Sequence, residues 1–325
     1  MTSPHRLFVV TGATGAVGPA VANRLARDAS VVALARHTPA SGALASAVRF
    51  ESADLLDSRA AQLVRDADVV CHLAAKLHVN DPGASLRAEY ERTNVEATKR
   101  LVDATPPASR FIFFSTIDVY GPTPPGVIAD EGTPPQPRSL YGETKLQAEQ
   151  AVLAHPGGLV LRMAAVYGPR VKANYARLVR ALELHRYISI GPGDNKRTLI
   201  YEDDVAEAAA VVASAAALPS RLYNLTDGAV HSVREIVDAI SGALDRRPPR
   251  GSLPAPMIRG AASVLDATLR LVGRRSPVTP QMIDKLQENV AVSGARLPRE
   301  SAFSPRVDLA AGWRAAIASH DRRLA

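Results

Sequence analysis

A chain of 325 residues with 46% apolar and 22% charged side chains can bury a full core, and its composition is that of an ordinary soluble globular protein, built as one large domain or two closely joined ones. The formal net charge of +7 admits an anionic ligand, yet no basic run carries the interleaved aromatics that grip single-stranded nucleic acid, so no nucleic-acid partner is expected. No stretch reaches transmembrane length and the first residues lack a signal-peptide apolar core, which points to a cytoplasmic protein with no stable membrane insertion.

Leu7 to Gly18 reads LFVVTGATGAVG, an apolar strand running straight into a glycine-rich turn, and the amphipathic pattern of VGPAVANRLARD then predicts a helix. Gly12 permits the tight turn, Gly15 lets backbone approach a pyrophosphate, and Gly18 lets the helix pack on the strand; the phosphate lies at the positive helix N-terminus. A bare glycine triplet is weak evidence, but a strand before it and a helix after it make a strong dinucleotide signal. The second strand, Val31 to Ala35, ends where an NAD site carries a carboxylate for the adenosine ribose. Here that position is Ala35, followed by Arg36. A small residue leaves room for a 2'-phosphate and the adjacent guanidinium can bind it bidentately, so NADP is favoured over NAD. The plainer role for Arg36 is to stack on the adenine.

A third strand near Val48 to Glu51 leads to ADLLD, which places Asp54 to meet the adenine and Leu55 to pack beneath it. DADVVCHLAA holds the fourth strand and ends at the cofactor in Ala74 and Ala75, where bulk would block the nucleotide. The single cysteine, Cys71, cannot form an internal disulfide and reads as a small buried strand residue. His72 reads as a packed structural histidine, and Asn94, in the TNVEAT helix, as a bridge to backbone or water beside the cofactor. Phe111 to Phe114 form the fifth strand. Apolar strands alternating with helices predict an α/β fold with a doubly wound parallel sheet. The proline-rich PTPPG and EGTPPQPRS then read as a lid or substrate loop, the helix bearing Tyr141 runs to about Ala154, and LVLRMAAVYGPR is the sixth strand. From Leu253 to Pro277, Ile258, Ala262, Leu265, Leu269 and Val272 recur at helical spacing among basic residues. That pattern is read as a substrate-domain helix that packs on the core or covers the substrate, with an interfacial membrane helix as the alternative.

The chemistry concentrates in STIDVYG (Ser115 to Gly121) and YGETK (Tyr141 to Lys145). Positions i and i+4 share a helix face, so Lys145 is expected beside the Tyr141 oxygen. A phenol titrates near pH 10, and a neighbouring ammonium lowers that value. Tyr141 is then the acid/base, Lys145 its tuner, and Thr116 the hydroxyl that holds the same substrate oxygen.

With these motifs in order, followed by RMAAVYGP, RTLIYEDDVAEA, YNLTDG and FSPRVDLAAGW, nearly the whole chain resembles the extended short-chain dehydrogenase/reductase family, in its nucleotide-sugar epimerase/dehydratase branch. The resemblance implies a Rossmann domain over residues 1–168, with 199–226 returning to it, and a smaller α/β substrate domain over 169–325. It makes Thr116, Tyr141 and Lys145 the catalytic trio, and Gly12, Gly15, Ala16, Val17, Gly18, Arg36, Asp54, Leu55, Ala74, Ala75, Asn94 and Lys145 the cofactor contacts. Asn174 and Arg197 match residues that meet the diphosphate of a UDP- or dTDP-linked sugar, and no metal is implied. Family dehydratases carry an acid pair or a glutamate after the catalytic threonine; Ile117 and Asp118 stand there here, which argues against dehydration and leaves Asp118 as a single substrate-binding or acid/base group. No clear counterpart of the second phosphate-binding arginine is found in TPQMIDKLQENVAVSG, where Lys285 is the possible substitute. The implied reaction is hydride transfer at sugar C4, as a 4-ketoreductase or alternatively a 4-epimerase, in a homodimer. A reductase of a non-nucleotide alcohol or ketone and a non-catalytic NADP-sensing protein are the remaining readings.

Overall fold

A computed structural model describes residues 6–77, 84–170, 173–249, 251–271, 274, 276 and 278–324. Its centre is a seven-stranded parallel sheet. The strands are β1 (Leu7–Thr11), β2 (Ser30–Ala35), β3 (Val48–Ser52), β4 (Val69–His72), β5 (Arg110–Thr116) and β6 (Gly158–Met163), with Leu222–Leu225 as the seventh. Their order across the sheet is β3-β2-β1-β4-β5-β6 and then Leu222–Leu225. Parallel strands are covered on both faces, so they read as unbroken apolar runs, and successive residues feed opposite layers. Val10, Ala33, Ile112 and Phe114 belong to one buried cluster; Val9, Val32, Leu34, Phe111 and Phe113 belong to the other.

The helices follow the same logic. The first layer is covered by α1 (Gly18–Leu25) and the helix Glu202–Ser214. Ala206, Ala209, Ala210 and Ala213 of the latter are buried, which permits a close approach that Arg24 and Glu207 clasp with a hydrogen bond of 2.6 Å. The second layer is covered by α2 (Ser58–Arg65), by the segment made of α3 (Ala84–Tyr90), the π-helical turn Glu91–Glu96 and α4 (Ala97–Ala104), and by α5 (Leu140–Ala154).

The expected sixth strand does not run on to the YGP turn. It breaks at Ala164, whose N–H donates to Leu225 O, and β7 (Ala165–Tyr167) leaves the main sheet to pair with Leu199–Tyr201. A third core forms there, with Tyr167 stacked on Trp313 at 4.8 Å between ring centroids and Val179, Leu182, Ile236 and Ile240 around them. The proline-rich segment after β5 is pinned to this side of the molecule: Thr123 N donates to Asn289 O at 2.8 Å and Ala129 N to Ala291 O at 2.9 Å.

Candidate active site

The carboxyl ends of β1, β2, β4 and β5 open into a cleft of about 580 Å³, at the place where the strand order reverses between β1 and β4. Open α/β sheets bind ligands at such a point. Gly12 turns the chain out of β1 with a φ of +71°, and a Cβ on it would lie 2.6 Å from Ala74 N. A Cβ on Gly18 would lie 2.2 Å from Gly12 O. Both positions therefore exclude any side chain, which brings the turn against the segment after β4 and the start of α1 against the turn. Gly15, Ala16 and Val17 complete this part of the wall. Ala35, Arg36, Asp54 and Leu55 line the cleft beyond β2 and β3, and Ala74 and Ala75 line it beyond β4. Arg36 is exposed. The cradle fits an extended dinucleotide: small residues where backbone must approach it, amides at a helix N-terminus, and a cation at the end of β2.

Thr116, Tyr141 and Lys145 share the wall of the same cleft. Thr116 closes β5, and its Oγ1 accepts the Asp118 N–H at 3.1 Å, which leaves its own hydrogen available to a ligand. Tyr141 stands in the first turn of α5, whose N-cap Ser139 accepts the Gly142 N–H at 2.9 Å. Lys145, one turn on, is 1% exposed and holds its Nζ 3.7 Å from the centre of the Phe113 ring. Burial pulls its pKa down to about 7, against an opposing pull from Glu149. The expected tuning of Tyr141 by Lys145 is not what the structure shows. Burial first, then the charge of Asp118 and the neighbouring Tyr90, all raise the phenol above its ordinary range, so Tyr141 holds its proton. The reason is geometric: the ammonium is directed onto an aromatic face under the helix, while a carboxylate lies beside the tyrosine.

Three expected site residues, Asn94, Asp118 and Arg197, stand apart from the cleft wall. Asn94 is buried behind it, accepting from Lys76 N at 2.7 Å and donating to Thr144 Oγ1 at 3.1 Å; it ties the segment after β4 to α5. The carboxylate of Asp118 accepts a short hydrogen bond from Ser139 Oγ, so it fixes the cap of the Tyr141 helix. Arg197 donates to Lys196 O at 3.0 Å, to Leu286 O at 3.1 Å and closely to Glu288 O, at the carboxyl end of the helix Pro280–Gln287. The side chain of Asn174 lies outside the described residues. His72 is the packed histidine expected, held between Thr11 Oγ1 at 2.6 Å and Thr98 Oγ1 at 2.9 Å, with burial lowering its pKa to about 3.

Two features escape a reading of the motifs. Arg170 lines the cleft; its Nε donates to Ala16 O at 3.1 Å and its Nη2 to Glu202 at 2.9 Å, so it braces the glycine turn. The signal for it was its position just beyond β7, since ligands gather where strands end. Beneath Thr116, Tyr141 and Lys145, Glu149 is buried with Arg162, 2.7 Å away, and accepts a short hydrogen bond from Ser115 Oγ. Arg162 lies 4.8 Å over the ring of Tyr120, whose hydroxyl donates to Asn224 at 2.8 Å. This polar chain joins α5, β5 and β6 to the seventh strand directly under the site.

A family model described as the NAD dependent epimerase/dehydratase family matches residues 8–226. The chain is 29% identical over 280 residues to a dTDP-glucose 4,6-dehydratase of Streptomyces griseus, with 83% of this chain and 76% of that protein covered. It is 29% identical over 265 residues to a UDP-glucose 4-epimerase of Vibrio cholerae, with 77% and 79% covered. Among solved structures, MoeE5 in complex with UDP-glucose and NAD is similar with a TM-score of 0.75 and 26% identity, covering 98% of this chain and 99% of that one.

Proposed function

The chain belongs to the NAD-dependent epimerase/dehydratase family, as an enzyme of the short-chain dehydrogenase/reductase type, and within it we propose that it is a nucleotide-sugar 4-ketoreductase that draws on NADPH. The observation that carries this reading is that Tyr141 and Thr116 line one cleft together with the glycine turn, where a phenol can act as the general acid of a ketone reduction; burial and the charge of Asp118 favour its protonated form. A bound nicotinamide dinucleotide supplies the hydride. Thr116, whose oxygen already accepts from Asp118 N, donates its hydrogen to the C4 oxygen of the sugar and orients it. Tyr141 gives its proton to that oxygen as the carbonyl becomes an alcohol, so hydride and proton together complete a two-electron reduction. Lys145 lines the same cleft with its ammonium over the Phe113 ring, one turn along the helix from Tyr141.

Arg36 supports NADPH over NADH, being exposed at the end of β2 where it lines the cleft next to Ala35. Arg197 and Asn174 are the proposed partners of the sugar diphosphate; Arg197 would leave carbonyl acceptors for phosphate oxygens, which are stronger acceptors. Dehydration is disfavoured because Ile117 is buried and the Asp118 carboxylate is committed to Ser139, so these two positions offer the cleft no acid pair.

The test is Tyr141→Phe. Turnover of 4-keto nucleotide sugars with NADPH should fall by about 10²–10⁴-fold while dinucleotide affinity is kept; unchanged turnover refutes the role. A second reading, 4-epimerisation by the same residues, is favoured by the similarity to the Vibrio cholerae epimerase and to a structure holding NAD. Tightly held NAD released from the purified protein, with no preference for NADPH, would make it the better one.

A further inference from the structure

The net charge of the chain is unevenly placed. Between residues 246 and 275 there are seven arginines against one aspartate and no lysine or glutamate, so about +6 of the chain's +7 falls in a segment of thirty residues. At its centre stands a helix, Ala255–Leu271, about 25 Å long at 1.5 Å per residue. The expectation that this helix packs on the core is met on one side alone. Ala262 is buried, and Ile258 and Leu269 on the same face are half-buried. On the opposite side Met257, Val264 and Leu271 are 65%, 69% and 88% exposed. Their spacing of seven residues puts them on one stripe along the helix. Leu253 just before the helix is exposed as well.

A helix with an inward and an outward apolar stripe, set in a strongly basic segment, is built to meet something apolar below a layer of negative charge. We propose that this helix docks the enzyme on an anionic phospholipid surface, lying in the plane of the membrane with Met257, Val264 and Leu271 entering the acyl boundary. Charge selects this occupant. A second copy of the chain would set one +6 segment against another, whereas a leaflet rich in acidic headgroups attracts it. Arginines flank the helix on both sides in sequence. Arg246 and Arg247 precede the helix and Arg274 follows it; among the described residues Arg247 and Arg274 have no acidic partner. Arginine stems lie along an apolar boundary while their heads reach phosphate. No helix among the described residues is long and apolar enough to cross a membrane, so the contact is peripheral. It stands apart from the reaction proposed above, because none of these residues lines the cleft.

The experiment is sedimentation of the full chain with vesicles of phosphatidylcholine alone and of phosphatidylcholine mixed with phosphatidylglycerol, at about 0.1 M and about 1 M salt, where the screening length falls from about 10 to about 3 Å. The protein should pellet with the anionic vesicles at low salt and stay in solution with the neutral ones. The variant Met257→Glu/Val264→Glu/Leu271→Glu should lower the bound fraction at least tenfold, and Arg247→Glu/Arg274→Glu should weaken binding and its salt dependence. NADPH titration checks that both variants remain folded. Wild-type protein that stays in solution with anionic vesicles overturns the proposal. So does a triple variant that still pellets, or a wild-type dimer that the triple variant converts to monomer, since the stripe would then be covered by a second copy.

Discussion

Lys145 is 1% exposed, and burial brings its pKa from 10.5 down to about 7. That displacement corresponds to about 5 kcal/mol, the full penalty of carrying the ammonium in the folded protein at low pH. The direction follows from linkage. Below pH 7 the folded and unfolded chains both bind the proton and the penalty is complete. Between about pH 7 and 10.5 the unfolded chain keeps a proton that the folded one has released, so stability rises with pH at up to about 1.4 kcal/mol per unit. Integrated from pH 7 to pH 9, the gain is about 2 kcal/mol. Lys145→Met keeps the stem over Phe113 and removes the titration. Urea unfolding of cofactor-free wild type and variant, followed by circular dichroism at pH 6, 7, 8 and 9, should show the variant ahead at pH 6 and the difference closing by about 2 kcal/mol between pH 7 and 9. Two stability profiles that stay parallel across this range would refute the reasoning, since Lys145 would then keep an ordinary pKa in the fold.

Arg162→Met leaves the Glu149 carboxylate buried without its partner and should cost about 3–5 kcal/mol in denaturant unfolding, whereas Glu149→Leu/Arg162→Met should recover most of the loss; a double variant as weak as the single one would count against this account. Gly18→Ala sets a Cβ 2.2 Å from a backbone oxygen of the cradle, so NADPH affinity measured by fluorescence titration should drop more than tenfold, and normal binding would show that the turn can yield. Arg36→Ser should reduce NADPH affinity by roughly 10–100-fold, the value of a hydrogen bond to a charged group, with little change for NADH; equal losses would mean that Arg36 stacks on the adenine in preference to binding phosphate.

The parts legible in the amino-acid order are those whose geometry is local. The turn after β1 needs Gly12 at positive φ and Gly18 against its carbonyl, within seven residues of one another. The helix that carries Tyr141 and Lys145 is set by its own period, and it runs to Ala154 as the pattern implied. Parallel strands buried on both faces announce themselves as apolar runs, and ordered motifs across the chain were enough to identify the family.

What a polar side chain meets was decided elsewhere. Asp118 looked available for catalysis, but Ser139, twenty-one residues on, takes its carboxylate. Arg197 looked like a phosphate ligand and is held by carbonyls about ninety residues further along the chain. Lys145 was placed on the correct helix face, yet its electrostatic neighbours are Phe113 and Glu149, contributed by β5 beneath and by the following turn of α5. Glu149 and Arg162 carry no motif, and their burial as a pair follows from the packing of α5 on β6. Periodicity of 3.6 or 2 assigns a residue to a face from its own neighbours in sequence. The charge, carbonyl or ring opposite that face arrives from a distant part of the chain, and only the assembled sheet and its helices bring the two together.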